Sequence, residues 1–204
     1  PLFMSAFYNN GQICIAVKRL YVHESIYDDL VAALAAIASV IPVGDGFAEG
    51  TVLGPMQNKK QYDIVQDFIQ SAKADGTVLQ DGPTPEGDGY FIRPAIVRDV
   101  TNGTKIVDEE QFGPVLPVIK YSTIEEAIAL ANDSEYGLGA SVWSGDIDRA
   151  KQVAAQIEAG TVWINKHGEP APHIPFAASK MSGIGAELSA HAINEFTQMK
   201  VISA

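Results

Sequence analysis

The sequence predicts an α/β fold, because strand-like and helix-like segments alternate along its 204 residues. The clearest unit is a strand at 139–143, a helix at 147–157 and a strand at 161–165. A strand–helix–strand crossover of this kind joins two parallel strands. Two longer helical segments lie nearer the N-terminus, at 24–40 and 58–74. We therefore expect a single domain with a mostly parallel, Rossmann-like sheet and helices on both faces.

The first predicted strand and helix follow a turn that contains the only cysteine of the chain. Residues 18–23 form a strand with Leu20 and Val22 on one face. Residues 24–40 form a helix, because apolar side chains recur every three to four positions. These side chains are Ile26, Leu30, Leu34, Ile37 and Ile41.

The middle of the chain predicts a second amphipathic helix and two strands. Residues 58–74 carry a helical apolar stripe, and Gly76 ends the helix in the manner of a C-terminal cap. A brief strand follows at 77–79. The next strand, 91–97, contains Pro94, which predicts an edge strand or a bulge because proline has no N–H to donate.

The last elements are predicted from strand composition and capping residues. Residues 115–120 form a strand, and a helix follows at 123–131. In this helix Thr123 caps the first turn and Glu126 completes a capping box. Near the C-terminus we expect a helix at 187–195, followed by a strand in the tail 196–204.

Composition excludes several classes of partner. The chain is 47% hydrophobic and 19% charged, as in ordinary globular proteins, and its formal net charge is −11. A negative surface disfavours nucleic acid and anionic membrane surfaces as partners. No apolar run approaches the ~20 residues that span a bilayer. One cysteine forms no internal disulfide, and no signal peptide is evident, so we expect a cytoplasmic protein.

The single cysteine, Cys14, is the first candidate for chemistry. A lone cysteine is most often a buried apolar residue without reactivity. Here it follows Asn9, Asn10, Gly11 and Gln12, a run typical of a turn. Such a turn brings backbone close to a bound molecule and exposes N–H groups that can hold an oxyanion. We therefore expect Cys14 at a partly accessible turn, near the carboxyl ends of the sheet strands.

Four segments in order along the chain resemble motifs of the aldehyde dehydrogenase superfamily. Residues 8–14, Tyr-Asn-Asn-Gly-Gln-Ile-Cys, resemble its catalytic-cysteine signature. Residues 110–115, Glu-Gln-Phe-Gly-Pro-Val, and residues 160–165, Gly-Thr-Val-Trp-Ile-Asn, resemble two further motifs. Residues 175–185 resemble the P-F-G-G-x-K-x-S-G-x-G motif, with alanine replacing both of its first glycines. The resemblance covers nearly the whole chain.

The resemblance implies a covalent mechanism that uses NAD or NADP. Cys14 is then the nucleophile, which forms a thiohemiacetal with an aldehyde and, after hydride loss, a thioester that water releases as a carboxylic acid. Glu110 is implied to bind the ribose hydroxyls beside the nicotinamide, and Phe112 to pack near its ring. Taken alone, residues 108–110 would be interpreted as a solvated acidic loop.

The resemblance also implies that the loop after residue 165 lines the substrate entrance. Asn165, His167 and Phe176 are then substrate-pocket residues, with Phe176 beside the reacting aldehyde. A metal site at His167 and His173 is the alternative, but a third ligand is lacking nearby, so no metal is expected.

The domain organisation expected from the resemblance is a catalytic domain at 1–195 and an oligomerisation strand at 196–204. The N-terminal cofactor-binding domain is expected to be absent from the chain, because neither a glycine-rich dinucleotide motif nor a Walker motif occurs. We therefore expect the isolated chain to lack NAD-linked turnover and to form homo-oligomers. Two alternatives stay open: a CoA-acylating or semialdehyde-type member, and a catalytically silent fragment that acts by association.

Overall fold

The computed structural model describes residues 1–204, and contacts divide them into two compact units, Pro1–Asp133 and Ser134–Ala204. The helices are α1 (Leu2–Phe7), α2 (Tyr27–Val40), α3 (Lys59–Asp75), α4 (Lys105–Asp108), α5 (Ile124–Asn132), α6 (Ile147–Ala154) and α7 (Ser189–Ile193). The strands are β1 (Leu20–His23), β2 (Thr77–Leu79), β3 (Ala95–Arg98), β4 (Val115–Tyr121), β5 (Tyr136–Gly137), β6 (Gly139–Val142), β7 (Thr161–Ile164), β8 (Phe176–Ala177), β9 (Ser179–Lys180) and β10 (Ala186–Glu187). None of the helices is long and apolar enough to cross a membrane.

The first unit is built on a four-stranded sheet in the order β1-β4-β3-β2. Strand β4 pairs in parallel with β1 on one side and with β3 on the other. Strand β2 closes the other edge antiparallel to β3. The α/β class predicted from the alternation of segments is confirmed, and the sheet, predicted to be mostly parallel, contains two parallel pairs and one antiparallel pair.

Helices cover both faces of this sheet, and β3 and β4 are therefore buried on both sides. In β4, Leu116 and Val118 join the core that contains α1 and α2, whereas Val115 and Ile119 join the core that contains α3 and α4. The alternation follows from the two-residue period of a strand. A strand buried on both faces contains apolar residues almost without interruption, as 115–119 does.

Local capping fixes the starts of the helices. The Asn58 side chain accepts a hydrogen bond from Gln61 N (2.9 Å) at the start of α3. At α5, Thr123 Oγ1 accepts from Glu126 N (3.2 Å), as the predicted capping box requires. The return bond differs from the prediction, because Glu126 Oε2 accepts from Ser122 N (2.8 Å), one residue before the cap.

The second unit contains the predicted crossover. Strands β6 and β7 pair in parallel, and α6 connects them. Two short antiparallel pairs complete this unit, β5 with β9 and β8 with β10.

Two segments differ from the sequence-based expectations. The strand expected at 91–97 begins only at Ala95, whose N–H donates to Pro114 O (2.9 Å), because Pro94 has no N–H to pair. At the C-terminus, α7 is shorter than expected and residues 197–204 lie outside helices and strands. A strand is defined by its pairing, and this single chain offers the tail no partner strand. Pairing of the tail with another copy stays a prediction.

Candidate functional site

The turn that carries Cys14 is formed by three consecutive left-handed residues. After α1, Asn9, Asn10 and Gly11 have φ values of 50°, 56° and 67°. Asparagine and glycine are the residues that adopt this conformation with least strain. The reversal brings Cys14 to an exposed turn between α1 and β1. The expected accessibility of this cysteine is therefore observed.

Two amide side chains hold this turn against the loop that precedes α3. Asn10 Nδ2 donates to the carbonyl oxygens of Gly54 (2.6 Å) and Pro55 (3.1 Å). Gln12 Oε1 accepts from Gln57 N (3.0 Å). Asn10 is buried, and its Oδ1 has no hydrogen-bond partner. The amide residues of the Cys14 motif therefore position the turn.

The turn is in direct backbone contact with the segment 110–115. A Cβ atom added to Gly11 would lie 2.6 Å from the carbonyl oxygen of Gly113 and 3.0 Å from that of Ala6. Only glycine permits this approach, since these neighbours are backbone atoms that cannot move aside. The Cys14 motif and the Glu110–Val115 motif, nearly a hundred residues apart in sequence, are thus in contact.

The segment 110–115 is fixed by two glutamine side chains. Gln61 Nε2 donates to the carbonyl oxygens of Gln111 and Phe112, both at 3.0 Å. The buried Gln111 side chain donates to Val115 O (2.7 Å) and Lys18 O (3.3 Å), while its Oε1 is unpartnered. These bonds hold Phe112 in a left-handed conformation with φ 44°. A non-glycine residue in this region is strained and is maintained only by its surroundings.

Lys18 contacts both the turn and the 110–115 segment, although the sequence analysis did not identify it. Its ammonium donates to the carbonyl oxygen of Gly11 and lies 4.9 Å from the centroid of the Phe112 ring. Burial lowers the pKa of Lys18 from 10.5 to about 8, while the negative charges of Glu110 and Cys14 oppose this shift. The only sequence signal was a lysine that directly follows the apolar run 15–17.

The position of Cys14 relative to the sheet corrects one expectation. The carboxyl ends of the strands were expected, because loops that follow parallel strands usually form the sites of α/β proteins. Here Cys14 and Lys18 precede β1, and Glu110 and Phe112 precede β4. The site therefore lies at the amino ends of two adjacent parallel strands.

In the second unit, Asn165 follows β7 directly, at the carboxyl end of that strand as expected. It has φ 54°, its side-chain Oδ1 accepts from Ser144 N (2.8 Å), and its Nδ2 donates to Ser144 O (2.8 Å). Its backbone N–H donates to Val142 O (2.9 Å). Asn165 thus joins the ends of β6 and β7 with both side-chain groups.

An aromatic cluster follows Asn165 in this unit. The buried Trp163 ring contacts the edge of His167 at 5.1 Å between centroids and stacks with Phe176 at 6.4 Å. His167 Nδ1 shares a hydrogen bond with Ser141 Oγ (3.1 Å). His173 is exposed. The structure therefore brings His167 and Phe176 together around Trp163.

Ala177 and Ala178 replace two glycines of the fourth motif. They are tolerated because the residue that closely approaches their backbone is Gly160 of the third motif. A Cβ atom on Gly160 would lie 2.0 Å from Ala177 O and 2.7 Å from Ala178 N. The third motif therefore packs against the backbone of the fourth, in which the side chains of Ala177 and Ala178 are half-buried.

The candidate residues thus form two groups. In the first unit, Cys14, Glu110 and Phe112 belong to the two segments that meet at Gly11 and Gly113. In the second unit, Trp163 contacts His167 and Phe176, and Asn165 follows the strand that carries Trp163. No group of three or more histidine, cysteine, aspartate or glutamate residues is arranged to hold a metal ion.

Comparison with known proteins identifies relatives over nearly the whole chain. The model of the aldehyde dehydrogenase family matches residues 2–202. An aldehyde dehydrogenase-like protein of Schizosaccharomyces pombe is 44% identical over 197 residues, which cover 96% of this chain and 39% of that protein. A protein of Macroscelides proboscideus named aldehyde dehydrogenase, cytosolic 2, is 40% identical over 198 residues, which cover 97% of this chain and 82% of that protein.

A solved structure agrees with the sequence comparison. The structure of a mutant of aldehyde dehydrogenase C from Pseudomonas syringae, in complex with NAD⁺ and octanal, matches with a TM-score of 0.90 and 38% identity. The match covers 96% of this chain and 41% of that one. The chain therefore spans about two fifths of the length of this structure and of the S. pombe protein.

Proposed function

This chain belongs to the aldehyde dehydrogenase family of oxidoreductases, and we propose that Cys14 is its nucleophile for the oxidation of an aldehyde to a carboxylic acid with NAD or NADP. The observation that carries this proposal is the contact between the exposed Cys14 turn and the Glu110–Val115 segment through Gly11 and Gly113. This contact supports the proposal, because it joins the turn that carries the thiol to the segment that carries the carboxylate of Glu110 and the ring of Phe112.

The proposed chemistry uses the sulfur as a soft nucleophile. The Cys14 thiolate forms a C–S bond to the aldehyde carbon, and the carbonyl oxygen becomes an alkoxide that turn N–H groups can stabilise. Departure of a hydride from this carbon leaves a thioester on Cys14. Water then attacks the thioester, the C–S bond breaks, and the carboxylic acid and the thiol are released.

The residues present fit a nicotinamide nucleotide. Glu110 is exposed, and a carboxylate accepts hydrogen bonds from two ribose hydroxyls. Phe112 offers a half-buried ring held in a strained backbone conformation. When bound, the nucleotide supplies the hydride acceptor. Support comes from the P. syringae relative, which was solved with NAD⁺ and octanal.

We propose that the second group of residues forms part of the substrate pocket. Phe176 and His167 present aromatic surface that suits an apolar aldehyde, and Trp163 fixes both rings. Asn165 acts as a positioning residue, because both ends of its amide are bonded to Ser144. We propose a cytoplasmic location, which the cytosolic relative supports.

The experiment that tests the function is aldehyde-dependent NADH or NADPH formation by the enzyme that contains this chain, with product analysis. We expect reduced cofactor and a carboxylic acid in equal amounts, and no requirement for CoA. An acyl-CoA product would instead identify a CoA-acylating enzyme. If no aldehyde in a panel of aliphatic and aromatic aldehydes supports cofactor reduction, the proposal is wrong.

Self-association through the C-terminal tail is the second expectation for this protein. Phe196, Met199, Val201 and Ile202 are each at least 81% exposed, and residues 197–204 have no strand partner in this chain. Unpaired backbone and exposed apolar side chains favour pairing with another copy. We expect oligomers in sedimentation at micromolar concentration, and a shift toward monomer when 197–204 are deleted. A wild-type chain that sediments as a monomer would contradict this.

A further inference from the structure

Three polar side chains meet on one face of the β6–β7 pair. Ser141 of β6 lies opposite Trp163 of β7 in the parallel register. Trp143 lies two positions after Ser141, so its side chain points to the same face. His167 reaches this face as well, since its ring meets the Trp163 ring edge-on at 5.1 Å between centroids. The function proposed above uses His167 and gives no role to Ser141 or Trp143.

Hydrogen bonds connect these three side chains in a row. Trp143 Nε1 donates to Ser141 Oγ (3.0 Å), and Ser141 Oγ lies 3.1 Å from His167 Nδ1. An indole N–H only donates, so the serine oxygen is the acceptor of the first bond. The serine hydroxyl then has its own proton to donate, and His167 Nδ1 is an acceptor within hydrogen-bond distance of it. A ring that accepts at Nδ1 is neutral and carries its proton on Nε2.

We propose that Ser141, oriented by Trp143, is a positioning residue that donates to His167 Nδ1 and thereby fixes both the orientation and the tautomer of the imidazole. The hydrogen bond holds the ring at one nitrogen, and the Trp163 ring holds it at an edge. A ring fixed in advance loses less freedom when a substrate binds beside it. The link to substrate binding rests on the proposed function, which assigns His167 to the substrate pocket.

The loop that carries His167 is held at both ends by other bonds. At its start, both groups of the Asn165 amide are bonded to the backbone of Ser144. At its end, Trp163 Nε1 donates to Glu169 O (3.3 Å). The backbone of the loop is therefore anchored without the serine of β6. Loss of that hydroxyl should alter the histidine ring and leave the loop in place.

The first test is ¹⁵N NMR of the histidine-labelled chain at about pH 8.5, where an ordinary imidazole is neutral. The chain has 4 histidines, and His167→Gln assigns the signals of His167 among them. We expect an unprotonated Nδ1 and a protonated Nε2 in wild type and in Ser141→Thr, which keeps the hydroxyl. In Ser141→Ala the two nitrogens of His167 should shift toward the values of a ring that exchanges between both tautomers. Trp143→Phe, which keeps a ring but lacks the N–H, should shift them in the same direction.

The second test is steady-state kinetics of an enzyme that contains this chain, with octanal as the aldehyde. Ser141→Ala should raise the KM for octanal about 2- to 10-fold, the range for one lost hydrogen bond. Its kcat should stay within about 2-fold of wild type, because the ring contributes equally to ground-state and transition-state binding. Ser141→Thr should restore the wild-type KM.

The matched control is Ser134→Ala, which removes a serine hydroxyl of the same unit that accepts from Tyr136 N (3.1 Å). It should keep the wild-type KM and the wild-type His167 signals. Thermal unfolding checks folding in each variant, and Trp143→Phe takes the place of Ser141→Ala in both tests if the alanine variant does not fold.

Four results would overturn the proposal. They are a protonated Nδ1 of His167 in wild type, His167 signals that are the same in Ser141→Ala as in wild type, a KM unchanged by Ser141→Ala, or a Ser141→Thr variant that behaves like Ser141→Ala. Failure of the proposed function is separate, because it would appear as an absence of cofactor reduction with every aldehyde. The NMR test needs no substrate and decides the role of Ser141 in that case.

Discussion

Replacement of Cys14 by serine is expected to lower the rate of p-nitrophenyl acetate hydrolysis by about 10³-fold or more, and to abolish aldehyde oxidation in an enzyme that contains this chain. A serine hydroxyl is barely ionised at neutral pH, whereas a cysteine thiolate is populated and is intrinsically nucleophilic. Hydrolysis of the ester needs no hydride acceptor, so it tests the sulfur alone.

The substitution should leave folding unchanged, because Cys14 is exposed and occupies a turn. Thermal unfolding of Cys14→Ser within about 1 °C of wild type is the control, since surface substitutions change stability little. Cys14→Ala measures any hydrolysis that the serine itself supports. A Cys14→Ser variant that retains more than about a tenth of the wild-type rate would contradict the nucleophile assignment.

The second large effect on stability and activity is expected from Gly11→Ala, because alanine at this position introduces backbone strain and a steric clash. The left-handed φ of 67° is strained for alanine, and its Cβ would lie 2.6 Å from the carbonyl oxygen of Gly113. We expect a loss of about 2–4 kcal/mol of unfolding free energy, from strain and overpacking together. The turn must move away from the 110–115 segment, and a shift of about 1 Å can lower a rate by about 10²-fold.

The matched control is Gly46→Ala, which replaces a glycine of the same unit. No atom lies within 4 Å of the Cβ that Gly46 would acquire, and its φ is outside the left-handed region. Both variants are compared by chemical denaturation and by Cys14-dependent ester hydrolysis. If Gly11→Ala is as stable and as active as Gly46→Ala, the contact between the turn and the segment does not form as described.

The sequence predicted best those features that depend on residues near one another in the chain. The strand Thr77–Leu79 and the crossover through α6 follow from short-range patterns and were predicted within a few residues. The exposed turn at Cys14 likewise follows from the local conformational preference of asparagine and glycine.

Features that depend on long-range packing were not predictable in the same way. Lys18 belongs to the site only because Gly11 and Gly113 bring two distant segments together. The position of the site at the amino ends of β1 and β4 depends on the order of strands in the sheet, which no local pattern specifies. The boundary between the two units at Asp133 is likewise a property of the contacts.

Asn165 illustrates a third limit on what can be predicted from the sequence. Its place at the end of β7 was predictable from strand composition, but the bonds that occupy its amide were not. Both bonds go to Ser144, 21 residues earlier, because the parallel pairing of β6 and β7 brings the ends of the two strands together. Resemblance can therefore suggest that a residue belongs to a site. The hydrogen bonds of its side chain indicate whether that side chain is available to bind a substrate or holds neighbouring backbone in position.

The most direct test of the account is to trap the covalent intermediate on Cys14. The wild-type chain is incubated with p-nitrophenyl acetate, quenched in acid, digested, and analysed by mass spectrometry of the peptide that contains Cys14. The account predicts one acetyl group as a thioester on Cys14, removable by hydroxylamine and absent from Cys14→Ala. Release of p-nitrophenol with Cys14 unmodified, or with acetyl groups only on lysine side chains, would contradict it.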